Sequence, residues 1–268
     1  MAKITNYEDD GNIFEFPYNP QEYSSSINQK SETTQLDYRF IHFSITSKNI
    51  KPREININGH FSGENKYKYF NQLVRRVTDG KLKRFYLDND RFIIIFSGNV
   101  ETTKANNRPN MVDYVGVLKS PIGMYQGTTL REAEYDGSWD SEPENEGDFY
   151  TIIEEIKIHT TGGSSGDNIE IKDNEDNGLN LSLTKDISSG TIITIRALSV
   201  EKLGSGILTT RIYEGRYPDG ENIPTSRVSG TDTKQLILDA GDSISNFNIS
   251  GNLGFSKIEF KFRDGYVE

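Results

Sequence analysis

The sequence contains no cysteine, which excludes disulfides, thiolate metal centres and cysteine nucleophiles. Nothing in such a chain depends on redox state, so it suits assembly in a cytosol followed by life outside the cell. Histidine is nearly as scarce, with His42, His60 and His159 the full complement. No two of them stand at zinc-ligand spacing and no HExxH occurs, so no metal site is expected. The members of a Ser-His-Asp triad need not be neighbours in sequence, but the GxSxG elbow is missing as well. His42 and His159 fall in strand-like stretches and read as ordinary strand residues. Long apolar runs are also lacking. The longest, such as Phe92 to Phe96, hold five residues, whereas a membrane-spanning helix needs roughly 20. No basic start followed by an apolar core opens the chain, so no signal peptide is expected. Positive charge is in deficit: 30 Lys and Arg stand against 40 Asp and Glu, for a net charge of −10 and a pI near 5.0. A chain of this charge repels nucleic acid over most of its surface, so specific nucleic-acid binding is not expected, and neither is a membrane partner.

What is present compensates for a low apolar fraction of 34%. Fourteen Phe and fourteen Tyr bury large areas from few positions, so the chain folds and is not disordered. A length of 268 residues fits one large or two medium domains. Two is the better reading, because the composition shifts sharply near the middle.

The dominant hydrophobic period is two, which signals strands. Asn12 to Phe16 is a short strand stopped by Pro17. Tyr38 to Thr46 is aromatic and β-branched. Ile55 and Ile57 alternate with Glu54, Asn56 and Asn58, as in a half-buried strand ending at Gly59. Lys83 to Leu87 and Arg91 to Ser97 form two more, with Asp88-Asn89-Asp90 as the hairpin turn between them. Met111 to Lys119 completes this block. One segment breaks the period. Tyr67, Phe70, Val74 and Val77, with Leu73 beside them, make one helical apolar stripe, opposite Gln72, Arg75 and Arg76. Gly80 suits the left-handed residue after a helix. A helix over about 64–79 is expected, lying on a sheet as a plug or lid.

Asp136 to Asp148 (DGSWDSEPENEGD) carries six acids and no Lys or Arg. Like charges in a run disfavour a core, so 136–149 reads as an acidic linker between a domain at 1–135 and a domain at 150–268. Trp139, the only Trp, is expected to anchor this linker on a domain surface, with a partner or sugar contact as the alternative. After it come eight strand candidates: Tyr150 to His159, Asn168 to Lys172, Leu179 to Leu183, Thr191 to Arg196, Ile207 to Tyr213, Gln235 to Asp239, Ile244 to Ser250 and Ser256 to Phe262. Their regular spacing, with Gly-containing turns between them, points to a β-sandwich. Ile258, Phe260 and Phe262 form the core face of the last strand, against Glu259, Lys261 and Arg263 on the wet face.

Other chemical signals are weak. Asp173 to Gly178 (DNEDNG) resembles the opening of a calcium loop, but the twelfth position is Thr184 where Glu is required, so a polar hairpin turn is the better reading. Thr161 to Gly166 (TGGSSG) lacks the Lys and the helix of a phosphate loop and reads as a strand connection. Forty acids supply many carboxylate pairs by chance, and no pair stands out as a glycosidase site.

Several segments in order resemble one family. They are FEFPYNPQEY (Phe14 to Tyr23), PREININGHFSG (Pro52 to Gly63), the helix KYKYFNQLVRRVTDGK, then KRFYLDNDRFIIIFSG and PNMVDYVGVLKSPIGMYQG (Pro109 to Gly127). LTKDISSGTIITI (Leu183 to Ile195) and the stretch from Gln235 to Glu268 add the closing strands. Together these resemble the distal tail proteins of long-tailed phages and related tailed viruses. The resemblance lies in order and pattern and covers most of the chain.

It implies a mainly β protein: an N-terminal β-barrel-like domain with one α-helix, then a C-terminal galectin-like β-sandwich. It also implies a job. Such proteins form a ring of copies, usually a hexamer, around the DNA channel at the distal end of the tail. The ring joins the tail tube protein to a baseplate hub or tail-tip protein, and the outer domains can carry a receptor-binding protein. The implied localisation is the virion, after assembly in the host cytoplasm. The role is architectural, with no catalytic residue, no cofactor and no metal to carry over. Six copies would hold a formal charge of about −60, which would let a channel wall pass DNA without holding it. Three alternatives stay open. A carbohydrate-binding protein would stack sugars on Trp139, Tyr213 and Tyr217. Another tail tube or baseplate hub subunit would share the first domain. A secreted hydrolase has the least support.

Overall fold

The computed structural model describes residues 2–7, 11–23, 53–86, 90–103, 110–120, 123–173, 178–200, 208–216, 223–224, 228–230 and 236–266. The first part of the chain supplies β1 (Lys3–Asn6), β2 (Asn12–Glu15), β3 (Gln21–Tyr23), β4 (Arg53–Ser62), α1 (Lys66–Thr78), β5 (Lys83–Tyr86), β6 (Arg91–Ile95), β7 (Ser97–Thr102), β8 (Met111–Ser120) and β9 (Tyr125–Gly127). The remainder supplies β10 (Arg131–Tyr135), β11 (Thr151–Thr160), β12 (Asn168–Lys172), β13 (Gly178–Leu183), β14 (Thr191–Val200), β15 (Leu208–Arg216), β16 (Ile223–Pro224), β17 (Val228–Gly230), β18 (Ile237–Leu238), β19 (Asn248–Gly251), β20 (Phe255–Phe262) and β21 (Gly265–Tyr266). The expected strand at Tyr38 to Thr46 with His42, the segment Ser24 to Gln35, residues 104–109 of the loop after β7, and Tyr217 lie outside the described residues.

The first module has two antiparallel sheets, ordered β2-β1-β5-β6-β9-β21 and β3-β4-β8-β7. Alternation sets the faces: Ile55, Ile57 and Phe61 of β4 are buried, while Glu54 and Asn56 are exposed. β8 pairs with β4 along its full length, from Arg53 opposite Ser120 to Ser62 opposite Met111. The chain passes from one sheet to the other at Phe96, whose N–H donates to the Lys119 carbonyl at 3.1 Å. Ile4, Phe14, Phe85 and Ile93 from one sheet meet Ile55, Phe61, Tyr114 and Leu118 from the other in one core. Leu73 and Val77 of α1 close it. These two sheets, with one helix among the described residues, fit the β-barrel-like first domain that the family resemblance implies.

The helix departs from the predicted stripe at one residue. Tyr67 is 61% exposed, and Tyr69 packs inward instead, its ring 6.0 Å from that of Phe61. The buried centre of the helix is Leu73 and Val77, and at about 100° per residue Tyr67 lies roughly a third of a turn from Leu73. Gly80 follows the helix with φ of 71°, which a residue with a side chain rarely adopts.

The second module is a β-sandwich. One sheet runs β10-β20-β11-β14-β15-β16, with β18 also on β11, and the other runs β17-β13-β12-β19. Ile156, Ile158, Ile193, Ile258, Phe260 and Phe262 from the first sheet face Ile169, Ile171, Leu179, Leu181 and Leu183 from the second. The expected strand over Ile244 to Ser250 is split. Ile244–Asn246 is a 3-10 turn, because the Ser243 hydroxyl caps it by accepting from the Ser245 N–H, and β19 starts only at Asn248.

Two strands cross the boundary drawn from the sequence. β10, expected with the first domain, pairs with β20 of the sandwich along Arg131 to Tyr135. β21, near the end of the chain, returns to pair with β9 of the first module. The acidic stretch between β10 and β11 is a strap laid on the second module. Backbone bridges tie Trp139 to Tyr135, Glu144 to Ser243 and Phe149 to Gly265.

Candidate functional site

A buried joint lies between the modules. β5 and β6 are buried on both faces, which is why Phe92 to Phe96 reads as an unbroken apolar run. Phe85, Ile93 and Ile95 point into the first core. Tyr86, Phe92 and Ile94 point the other way, where Leu82 and Met124 join Ile152, Phe149 and Tyr150 of the second module. Strand β11 reaches this joint through a β-bulge. Ile153 pairs with Phe262 and Glu155 with Lys261, which leaves Glu154 as the extra residue.

The bulge carries Glu154 to the joint, with its side chain 10% exposed and 3.3 Å from Arg263 Nε. Gln126 Nε2 of β9 donates to the same carboxylate oxygen at 3.3 Å. The Arg263 guanidinium also donates to the Thr128 carbonyl and lies 5.6 Å from the centre of the Phe92 ring. Arg84, likewise buried, sits over Tyr7 and Phe92. Burial pushes the Glu154 carboxyl above its ordinary range, against the opposing pull of Arg263 and Arg84. Burial, with Glu154 nearby, also pushes the Tyr7 phenol up.

A second group pins the strap. Arg131 of β10 grips Asp264 in a fork, Nε at 2.8 Å and Nη2 at 2.9 Å, and reaches Glu146 of the strap at 2.7 Å. Asn145, fully buried, donates from Nδ2 to the carbonyls of Phe149 at 2.7 Å and Leu238 at 3.1 Å. Its Oδ1 accepts from the N–H groups of Gly147 at 3.2 Å and Gly265 at 3.1 Å. One side chain therefore stitches together the strap, the strand β18 and the returning C-terminal strand.

The residues singled out from the sequence are scattered. Trp139 lies against the sandwich core, its ring 5.1 Å from Tyr135 and 5.3 Å from Phe260, as an anchor for the strap. His60 stacks on Tyr18 at 5.0 Å in the first module. His159 lies in the second module, with Nε2 3.1 Å from Glu259. Tyr213 is in β15. β12 and β13 pair across the DNEDNG segment, with Lys172 opposite Gly178, as a hairpin requires. Among the described residues, no group of three or more His, Asp or Glu is placed to hold a metal ion. Nor is any described helix long and apolar enough to cross a membrane.

Sequence reasoning missed Asn145, Glu154, Arg131 and Asp264. One signal was present: the adjacent Glu154 and Glu155 break the alternation of an otherwise apolar strand, which is how a bulge reads in sequence.

Fold and joint together define a class: a two-module β protein whose buried polar groups brace one module against the other. No family model and no curated protein sequence matches the chain. Solved structures do. A chain of the phage P2 baseplate, in its activated conformation with Ca, shares the fold with a TM-score of 0.52 and 11% identity, over 98% of this chain and 97% of that one. The SPP1 Dit (gp 19.1) protein, described as a paradigm of hub adsorption apparatus in phages infecting Gram-positive hosts, matches over 99% of both chains at 10% identity and a TM-score of 0.49. The likeness to the baseplate chain extends over both modules, so the mainly β, two-module fold is common to the two.

Proposed function

We propose that this chain is a structural subunit of a phage-like tail tip, of the distal tail type. In this reading it closes with copies of itself, most simply six, into a ring around the DNA channel. The first module builds the ring. The second projects outward and carries neighbouring tail components, including a receptor-binding protein. The ring joins the tail tube to a baseplate hub or tail-tip protein within the virion, after assembly in the host cytoplasm. Its work is done by shape, without catalysis or a cofactor.

The observation that carries this reading is the end-to-end likeness to a baseplate chain, spanning both modules at once. The joint supports it. A subunit that transmits position from tube to tip needs its modules held at a set angle, and a packed apolar cluster with buried ion pairs does that. The excess of carboxylates suits a channel that DNA traverses without sticking.

The test is native mass spectrometry with negative-stain microscopy, on the full chain alone and mixed with a tail tube protein from the same virus. A closed ring of about six chain masses of 30.3 kDa is expected in at least one condition. A monomer in both conditions would overturn the proposal.

A further inference from the structure

Among the described residues of this acidic molecule charge is distributed unevenly, and the two extremes lie in different modules. The positive extreme is α1. Lys68, Gln72, Arg75 and Arg76 stand at i, i+4, i+7 and i+8, so they share the face turned from the core, and all four are exposed. No acid falls within the helix. Among the described residues, Lys68, Arg75 and Arg76 have no carboxylate partner, since Asp79 at the helix end is taken by Lys83. Tyr67, 61% exposed, flanks this face, with the Lys66 ammonium over its ring at 5.5 Å.

The negative extreme is the strap. Asp136, Asp140, Glu142, Glu144 and Glu146 are exposed within eleven residues that contain no Lys or Arg. Of these five acids, Arg131 answers Glu146, and the hydroxyl of Ser245 donates to Glu142. The strap is ordered before any partner arrives. Asp140 accepts from the N–H of Glu134, Asp136 from that of Ser138, and Asn145 locks its far end. A pre-ordered ridge loses little entropy on docking.

The helix packs on β2, β4, β7 and β8 of the first module, and the strap on β10 and the turn before β19. Among the described residues no ion pair joins them, so they do not satisfy each other within one copy. A ring of identical chains needs such a pair of unlike, complementary patches, because each subunit meets its neighbour head to tail. We infer that the basic face of α1 in one copy docks on the acidic strap of the next, with Tyr67 covered at the contact. This rests on the ring reading above and adds to the first-module ring a contact from one copy's first module to the strap on the next copy's second module.

The experiment uses the full chain and two charge reversals at exposed positions. One variant carries Lys68→Glu, Arg75→Glu and Arg76→Glu. The other carries Glu142→Lys and Glu144→Lys. Native mass and sedimentation are measured for each, with circular dichroism and melting temperature as checks on folding. Each variant alone should assemble roughly tenfold or more weakly than the unmodified chain, since like charges then face each other across the interface. An equimolar mixture of the two should regain rings of alternating copies, because each reversed patch then meets an opposite charge. Normal ring formation by both folded variants would overturn the inference and leave the ring reading standing. Failure of the mixture to recover assembly would overturn it equally. An unmodified chain that never self-associates would overturn both. If that monomer bound anionic vesicles or duplex DNA through α1, the face would be assigned to that ligand, and the neighbour contact would still fall.

Discussion

Replacing Asn145 with Ala removes the four hydrogen bonds that tie the strap to β18 and to the returning C-terminal strand. Two of their backbone partners, the Leu238 carbonyl and the Gly265 N–H, are held in buried bonds; those to Phe149 and Gly147 are part-buried. A buried group left unpaired costs about 1–3 kcal/mol and a part-buried one that regains water about 0.5–1, which brings the loss to roughly 3–8 kcal/mol. Asn145→Asp should be worse than Asn145→Ala at neutral pH, because a carboxylate would face two carbonyl oxygens where the amide now donates. Urea unfolding followed by tryptophan fluorescence reads this directly. The only Trp, Trp139, sits on the same strap and reports its release. A loss under about 1 kcal/mol for Asn145→Ala, or an Asp variant more stable than the Ala variant, would refute the reasoning.

The Tyr114 hydroxyl is buried beside Gly59 with no hydrogen-bond partner, so Tyr114→Phe should be neutral or stabilising by about 1 kcal/mol in thermal melts. Gly59→Ala would place a Cβ 2.6 Å from that hydroxyl, at a cost of about 1–3 kcal/mol, part of which Tyr114→Phe should relieve in the double variant. The raised proton affinity of Glu154 means its contribution to stability is full below the ordinary carboxylate range and is lost as pH rises through its elevated value. Glu154→Gln should therefore flatten the pH dependence of the urea midpoint between acid and neutral, and an unchanged slope would count against a buried carboxyl there. Trp139→Ala should cost about 1–3 kcal/mol, less than a fully buried Trp, and should loosen the strap as measured by hydrogen exchange over 136–148.

Much of the architecture was legible in the primary structure, because side-chain periodicity reports local geometry. Alternation in β4 and β20 marked which residues face a core, and the i, i+3, i+7 pattern marked α1. Local rules also limited the reading. Tyr67 satisfied the helical stripe in sequence but not in the fold, because the helix axis turns on Leu73 and Val77. Ile244 to Ser250 looked like one strand because a serine cap outweighs a short apolar pattern only once the neighbouring chain is in place.

The sequence alone determined the class of fold, the helix at α1, the acidic stretch and the absence of thiol chemistry, since each follows from composition or from residues close in the chain. The tertiary structure decided everything that depends on residues far apart in sequence. It sent β10 into the sandwich and β21 back to the first module. It placed Glu154 in a bulge facing Arg263, and made the acidic linker a strap held by Asn145 as well as by Trp139. The physical reason is that such contacts span more than 100 residues: Arg131 meets Asp264, and Asn145 meets Gly265, only after both sheets have formed.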